Sequence, residues 1–396
     1  MKLTPLKSKR ASTTSRHAGR HLPVVLYILI AAALVGGCGG DDGASPGDPA
    51  GTGGAGGLDP AVAPFQELYD QGMDRYVGMF SPTASETLDG GVVSHRFSTE
   101  GGPICFTGEP FEMSTRDGNG EDLMVFMQGG GACGPNGCDA VESWPPGIPG
   151  PLAMMGLLNA SDPDNPVRDY DVAYLPYCDG SMWSGDADVD ADGDGATDYE
   201  FRGLMNLSAS IDVIAETYPA PSRIFLAGNS AGGFGVHHAL PILRIHYPDV
   251  EIEMINDSGV GISVPGAWEE TNAYWNASAM YPESCADCIG ADGNLTGFHG
   301  YQLDQDPLLG MGFMSTKQDG VVLERLPMSP EAYEAEVVAA MAELEAAHRD
   351  RFRSFVADGD GHTFILRDID REVGGTTPRR WIEDLLNGGA WVSVSD

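Results

Sequence analysis

Short apolar runs alternate with helical patterns along most of the chain, and this alternation restricts the fold more than any other feature of the sequence. Six runs have the length and the β-branched or aromatic content of buried strands, at residues 123–127, 172–176, 224–227, 252–255, 311–314 and 352–356. Helical patterns lie between several of them, at residues 204–218, 232–247 and 329–352. Strands that alternate with helices predict an α/β fold in which helices flank a mostly parallel central sheet.

The first 60 residues differ in composition from the rest. Residues 1–21 carry six Lys or Arg and no acid, and an apolar run of 14 residues follows at 22–35. This pattern predicts a signal peptide over residues 1–37. The small residues before Cys38 resemble a bacterial lipoprotein signal, in which the cysteine is lipidated. An uncleaved membrane anchor is the alternative, but a span needs about 20 apolar residues.

The mature chain is expected to begin with a tether and to be strongly acidic. Residues 38–60 are mostly Gly, Asp, Pro, Ala and Ser, which predicts a flexible tether before one domain at 61–396. Loss of residues 1–37 leaves 16 basic and 58 acidic side chains, a formal charge of −42. That charge disfavours nucleic acid as a partner. We expect an exported protein, attached to the membrane only by its lipid anchor, at the cell surface or in the periplasm.

Ser230 lies in the pattern Gly228-Asn-Ser-Ala-Gly232, between a predicted strand and a predicted helix. This is the context of a nucleophile elbow, a sharp turn that leaves no room for side chains at its glycines. A nucleotide-binding glycine turn is the alternative, but this turn has neither a GxGxxG pattern nor a P-loop lysine. The context therefore predicts that Ser230 is a nucleophile.

A serine hydroxyl needs a base, and a histidine base needs an acid to orient it. His362 follows a predicted strand in "DGDGHTF", and Asp319 follows the strand before it. The order serine, acid, histidine is typical of α/β-hydrolases and favours these two residues. The alternatives are His299 for the base, and Asp257, Asp304 and Asp306 for the acid.

A glycine run, Gly129-Gly-Gly131, follows an early predicted strand. Acyl transfer requires backbone N–H donors for a developing oxyanion, and a glycine run allows the backbone to approach the substrate closely. The N–H group of Ala231, directly after the predicted nucleophile, is the expected second arm.

Taken together, these motifs resemble a pectin acetylesterase-type α/β-hydrolase, the family that also contains the Notum carboxylesterases. The segments "MQGGGAC", "YCDGSMWSGD", "LAGNSAGG", "NDSG" and "DGDGHTF" occur in that family's order over most of residues 100–390. The chain departs from the family in having Gln128 and Ala132 where a glutamate and a tryptophan are usual.

The resemblance implies an α/β-hydrolase-like fold and a serine esterase that needs no cofactor for catalysis. It assigns the triad to Ser230, Asp319 and His362, and places Trp183 near the acyl pocket. It assigns the oxyanion hole to Gly130, Gly131 and Ala231. The expected substrate is a small acyl ester, an acetyl ester in first place, or an acetylated polysaccharide. The alternatives are a deacylase for longer fatty acyl groups and a non-catalytic surface carbohydrate-binding protein.

Six cysteines remain after Cys38, and an even number in an exported protein predicts disulfides. Cys285 and Cys288 have the spacing of half a zinc site, but the chain has no second CxxC to complete one. The resemblance implies that the pairs are Cys105 with Cys178, Cys133 with Cys138, and Cys285 with Cys288.

An acidic loop at residues 188–200 places aspartates at alternate positions before a glycine. Its candidate ligands are Asp190, Asp192, Asp194 and Asp198. The pattern is the beginning of a calcium loop, but Phe201 stands where the usual glutamate would be. A structural calcium site and a solvated acidic loop are both compatible with this sequence.

Overall fold

In the computed structural model, residues 64–396 are described, and they belong to a compact unit at residues 58–396. The predicted signal peptide, Cys38 and the tether lie outside the described residues. None of the helices within 64–396 is long and apolar enough to cross a membrane.

The described residues contain strands of two to eight residues and helices of four to eighteen residues. The strands are β1 (Ala84–Thr87), β2 (Val92–Arg96), β3 (Glu112–Arg116), β4 (Leu123–Met127), β5 (Cys133–Gly134), β6 (Gly137–Cys138), β7 (Asp171–Leu175), β8 (Ala187–Val189), β9 (Tyr199–Phe201), β10 (Ile224–Asn229), β11 (Ile252–Asp257), β12 (Leu309–Thr316), β13 (Phe352–Ala357) and β14 (Val394–Ser395). The helices are α1 (Gln66–Asp70), α2 (Gly203–Thr217), α3 (Ala231–His246), α4 (Ala267–Trp275), α5 (Thr296–Gln305), α6 (Gly320–Leu323), α7 (Pro330–Ala347) and α8 (Pro378–Leu386).

Ten of these strands form one sheet, in the order β1-β2-β3-β7-β4-β10-β11-β12-β13-β14. The seven strands from β7 to β14 in this order are parallel, and β1, β2 and β3 extend the sheet antiparallel at one edge. α-Helices lie in the connections between these parallel strands, except in the connection from β4 to β7. The predicted α/β fold, with a mostly parallel central sheet flanked by helices, is confirmed.

Both faces of the sheet are covered, which explains why its central strands are apolar throughout. Every residue of β4 is buried. Leu123, Val125 and Met127 belong to the larger core cluster, whereas Met124 and Phe126 belong to the smaller one on the opposite face. Successive side chains of a strand point to opposite faces, so a strand buried on both faces is apolar at every position.

The parallel strands bring the predicted site segments to one edge of the sheet. The glycine run follows β4, Ser230 follows β10, Asp319 follows β12 and His362 follows β13. The carboxyl ends of parallel strands share an edge, and open α/β sheets bind ligands there. The fold therefore gathers segments that are more than 200 residues apart in sequence.

Candidate active site

Ser230 occupies a strained turn between β10 and α3, with φ 56° and ψ −123°. A Cβ atom on Gly228 would lie 2.1 Å from the carbonyl oxygen of Gly232, and one on Gly232 would lie 2.0 Å from the carbonyl oxygen of Met127. Only glycine fits at these two positions. The sequence pattern therefore has a steric cause, and the turn has the geometry of a nucleophile elbow.

Asp319 and His362 form a hydrogen-bonded pair, with 2.7 Å between Asp319 Oδ2 and His362 Nδ1. The carboxylate is fully buried, and its Oδ1 accepts the backbone N–H groups of Val321 at 3.0 Å and Val322 at 3.1 Å. Three hydrogen bonds thus fix the acid at the start of α6. The imidazole is fixed through the nitrogen that faces the acid.

The other ring nitrogen of His362 is free to take a proton. Because a carboxylate only accepts hydrogen bonds, Nδ1 carries the proton and Nε2 of the neutral ring carries a lone pair. Within residues 64–396, no protein group is hydrogen-bonded to this buried Nε2 atom. His362 and Ser230 line the same cleft. The arrangement is that of a general base oriented by an acid beside a candidate nucleophile.

The cleft has a volume of about 640 Å³, and its lining is more apolar than polar. Its large apolar residues are Met182, Phe234, Ile262, Trp268, Trp275 and Leu326. Charged side chains also line it, namely Asp139, Glu270, Glu324 and Arg325. The walls come from the β5–β6 hairpin, from α4 and from the segment that begins at α6.

The glycine run packs directly against the elbow. A Cβ atom on Gly129 would lie 2.2 Å from the carbonyl oxygen of Asn229 and 2.7 Å from Ser230 Cβ. Gly131 has φ 82° and lines the cleft together with Ala231, whereas Gly130 is not among the lining residues. These two positions bring backbone amides to the cleft beside the serine, where an oxyanion hole needs its donors.

Asp139 holds the end of the glycine run. Its Oδ1 accepts the N–H group of Ala132 at 3.1 Å, and its other carboxylate oxygen pairs with Arg325. The Val141 N–H group donates to the carbonyl oxygen of Gly130 at 2.8 Å. The loop shape thus depends on the residues directly after the β5–β6 hairpin. Nothing in the sequence had singled out Asp139.

Trp183 lies away from the cleft surface. It is fully buried and packs against Tyr177 and Phe111, and a Cβ atom on Gly235 would lie 2.3 Å from its ring. The tryptophans that line the cleft are Trp268 and Trp275, which belong to α4. Their position was not visible in the sequence because α4 carries no clear apolar periodicity.

The three alternative acid candidates make contacts with groups other than His362. Asp257 accepts the backbone N–H groups of Phe364 at 2.7 Å and Ile365 at 2.9 Å. Asp306 forms a buried ion pair with Arg244 at 2.6 Å. Asp304 has an exposed side chain, 3.9 Å from His348.

His299 is fully buried, and its ring centroid lies 4.3 Å from that of His237. Burial lowers the pKa of His299 well below its usual value, and the neighbouring histidines lower it further. The ring does not line the cleft. The structure thus brings His362, and not His299, to Ser230 and Asp319.

Three disulfides join the pairs implied by the resemblance, namely Cys105–Cys178, Cys133–Cys138 and Cys285–Cys288. The last bond uses the thiols that half a zinc site would need. The second bond closes the β5–β6 hairpin on the cleft wall. Disulfides of this kind suggest an extracellular protein.

The acidic loop connects β8 and β9, which form a small hairpin. Asp190, Asp192 and Asp194 each offer a carboxylate oxygen, and these atoms lie within 4.8 Å of one another. Asp198 is turned toward the loop backbone, where it accepts the N–H groups of Ala191 at 2.8 Å and Asp192 at 3.2 Å. Three of the four predicted ligands therefore converge.

Residues 98–276 match the family model described as Pectinacetylesterase. The chain is also 24% identical over 225 residues to the palmitoleoyl-protein carboxylesterase notum1a of Danio rerio, a match that covers 52% of this chain and 40% of that protein. It is 27% identical over 126 residues to the palmitoleoyl-protein carboxylesterase notum2 of Xenopus laevis. This match covers 28% of this chain and 24% of that protein. The chain thus spans less than half the length of the curated relatives it matches. The family match includes Ser230 but ends before Asp319 and His362.

Proposed function

Since the family match and both relatives support a family of the pectin acetylesterase and Notum type, we propose that this protein is a serine hydrolase that cleaves carboxylic acyl esters. One observation carries the proposal. The hydrogen-bonded pair of Asp319 and His362 leaves Nε2 without a partner in the cleft that also contains Ser230. A carbohydrate-binding protein without catalytic activity has no need of this pair.

In the proposed reaction, Ser230 Oγ attacks the acyl carbon while His362 Nε2 takes its proton, and Asp319 stabilises the imidazolium. The backbone N–H groups of Gly131 and Ala231, the two predicted donors that line the cleft, stabilise the oxyanion. The alcohol leaves with the proton from His362, and water then hydrolyses the acyl-enzyme by the same route. No cofactor takes part.

We propose a small acyl group, acetyl in first place, carried by a polysaccharide or by another large alcohol. The description of the family model supports an acetyl ester. The formal charge of the mature chain disfavours an anionic polymer such as pectin, because like charges repel unless salt screens them.

A deacylase for longer acyl chains is the second candidate, and the cleft favours it. A volume of about 640 Å³ with two tryptophans in its wall exceeds the space that an acetyl group fills. The relatives are named for the palmitoleoyl group, which is a long chain. p-Nitrophenyl esters of increasing acyl length separate the two candidates. Ala267→Trp, at a residue that lines the cleft, should lower the hydrolysis rate of long-chain esters selectively if the acyl chain binds beside α4.

A fluorophosphonate probe tests whether the protein is a serine hydrolase at all. The probe should label the purified full chain, and Ser230→Ala should abolish labelling. Ser263→Ala is the matched control, because Ser263 lines the same cleft but does not lie in the elbow. Labelling that survives in Ser230→Ala, or a parent protein that neither labels nor hydrolyses esters, contradicts the proposal and favours the binding protein.

We further propose that the protein is exported and attached to a membrane through a lipid on Cys38. The disulfides support an extracellular location.

We also propose that the acidic loop binds a structural calcium ion through Asp190, Asp192 and Asp194, with Asp198 shaping the loop backbone.

A further inference from the structure

The segment "NDSG" at residues 256–259 carries no role in the proposed reaction, yet it lies between the two reacting side chains. This segment, named here the NDSG turn, consists of the last two residues of β11 and the two residues after the strand. On one side it contacts the elbow: the Ser230 N–H group donates to the carbonyl oxygen of Asp257 at 2.7 Å. On the other side it contacts the residues directly after His362. The turn is thus the shared neighbour of the nucleophile and the base.

The Asp257 carboxylate binds the backbone of the histidine loop and makes no hydrogen bond to the histidine itself. Its Oδ2 atom accepts the N–H groups of Phe364 at 2.7 Å and of Ile365 at 2.9 Å. Its Oδ1 atom accepts the Ser258 hydroxyl at 3.4 Å. The carboxylate is completely buried. Because both oxygens are occupied, this acid makes no hydrogen bond to His362 and holds the histidine through the peptide chain, while the charges of the two side chains also interact.

Ser258 adds a third contact to the same loop. Its hydroxyl oxygen accepts the Thr363 N–H group at 3.0 Å, so three consecutive amides, those of residues 363 to 365, end on the NDSG turn. The backbone N–H group of Ser258 donates to the carbonyl oxygen of Met314 in β12 at 2.8 Å. The turn is therefore fixed to the sheet on one side and holds the histidine loop on the other.

Backbone strain is concentrated at this junction. Ser230, Ser258 and Thr363 are not glycines, but their φ angles are 56°, 65° and 68°. Such conformations persist only where the surrounding structure imposes them, and they cluster at functional sites. Each of the three residues takes part in a hydrogen bond within the junction.

The remaining two residues of the turn fix its shape. Asn256 Oδ1 accepts the Gly259 N–H group at 2.8 Å, and Asn256 Nδ2 donates to the Gly259 carbonyl oxygen at 2.9 Å. The turn also packs tightly on α3, because a Cβ atom on Gly233 would lie 2.7 Å from Asn256 Oδ1. Asn256 and Gly259 therefore fix the shape of the turn, and Asp257 and Ser258 make its contacts with the elbow and the histidine loop.

We propose that the NDSG turn sets the position of His362 relative to Ser230, with Asp257 as its main positioning residue. This proposal rests on the serine hydrolase function proposed above. Catalysis by a base requires near hydrogen-bond distance to the nucleophile, and a displacement of about 1 Å costs on the order of 100-fold in rate. Loss of the anchor should consequently lower kcat and leave KM almost unchanged, since the anchored loop carries the base, whereas α4 carries the tryptophans that line the cleft.

The test compares Asp257→Ala, Asp257→Asn and Glu253→Gln by hydrolysis of p-nitrophenyl butyrate. Asp257→Ala should lower kcat by about 10- to 100-fold, with KM within about twofold of the parent. Asp257→Asn should stay within about fivefold of the parent, because an amide oxygen accepts the same two N–H groups. Glu253→Gln should match the parent, since Glu253 is a largely buried acid near the opposite end of β11.

Parent-like kcat in Asp257→Ala overturns the proposal. A loss near 10⁴-fold in Asp257→Asn also overturns it, because that is the signature of a triad acid whose charge is required. If circular dichroism shows that Asp257→Ala does not fold, Ser258→Gly is the deciding variant. Glycine adopts the positive φ readily, and only the hydroxymethyl side chain that accepts the Thr363 N–H group is lost. This variant should lower kcat by about three- to tenfold, and an unchanged kcat overturns the proposal. A parent that neither hydrolyses esters nor labels with the fluorophosphonate contradicts the proposed function instead.

Discussion

At the residue scale, the candidate site divides into residues that chain order identifies and residues that only packing identifies. Ser230, Asp319 and His362 follow three different strands, and this placement together with the order serine, acid, histidine favoured them over the alternatives in the sequence. Trp183 shows the limit of this reasoning. The resemblance placed Trp183 near the acyl pocket, whereas its ring is fully buried and packs against Tyr177 and Phe111.

Substitution of the three candidate catalytic residues should remove activity without unfolding the protein. Ser230→Ala and His362→Ala should each lower ester hydrolysis by about 10⁴-fold or more, and Asp319→Asn somewhat less, because triad members act as a unit. The measurement is kcat/KM for a short-chain p-nitrophenyl ester. Thermal melts are the control and should stay near the parent. A Ser230→Ala protein with the parent rate contradicts the serine mechanism.

Asp257 should also make stability depend on pH. Burial raises the pKa of its carboxyl group to about 7, so the folded state disfavours the charged form. The resulting stability is complete below about pH 4, the unfolded value, and is lost as the pH rises through about 7. The melting temperature of the parent minus that of Asp257→Asn should therefore fall by several degrees between about pH 4 and pH 8. A constant difference contradicts this expectation.

At the element scale, the apolar parallel strands were predictable and the elements around them were not. β4 has the predicted bounds, and β10, β11 and β13 begin at the predicted residues. The antiparallel edge was missed because strands there lack apolar runs, and all four residues of β1 are exposed. The helical pattern at 329–352 was drawn too long. α7 ends at Ala347, where polar residues without Gly or Pro lead into β13 and give no stop signal.

The β8–β9 loop should bind calcium as a unit. Calcium should raise the melting temperature of the parent, because three carboxylates converge there and an ion that binds only the folded state stabilises it. Asp192→Ala combined with Asp194→Ala should abolish the rise, whereas Asp164→Ala, at an exposed acid in another loop, should not. Identical melting curves in calcium and in chelator contradict the calcium site.

At the scale of the whole molecule, composition predicted the cellular location, and the predicted parallel sheet indicated that the site segments meet at one edge. The basic and apolar residues 1–35 and the six cysteines after Cys38 predicted an exported protein, and the acidic balance disfavoured nucleic acid as a partner. The walls of the cleft could not be predicted from the sequence, because α4, the β5–β6 hairpin and the segment that begins at α6 are brought together only by the fold.

Attachment to the membrane should depend on a single thiol. Cys38→Ser should move the protein from the membrane fraction to the soluble fraction, because lipidation of this cysteine is the only anchor expected. Fractionation followed by immunoblotting measures the distribution, with a Cys285→Ser and Cys288→Ser double variant as the control for loss of cysteines in general. Continued retention of Cys38→Ser in the membrane points to an uncleaved apolar span.

The hairpin closed by Cys133 and Cys138 links the timing of activity to the compartment. One of its cysteines directly follows Ala132, and the other directly precedes Asp139, the residue that holds Ala132 in place. In a reducing cytosol this crosslink does not persist, and the loop that carries the proposed oxyanion donors loses a support. A newly made precursor should therefore have low esterase activity until the Cys133–Cys138 bond forms. The acyl esters in the cytosol of the producing cell should then not be hydrolysed.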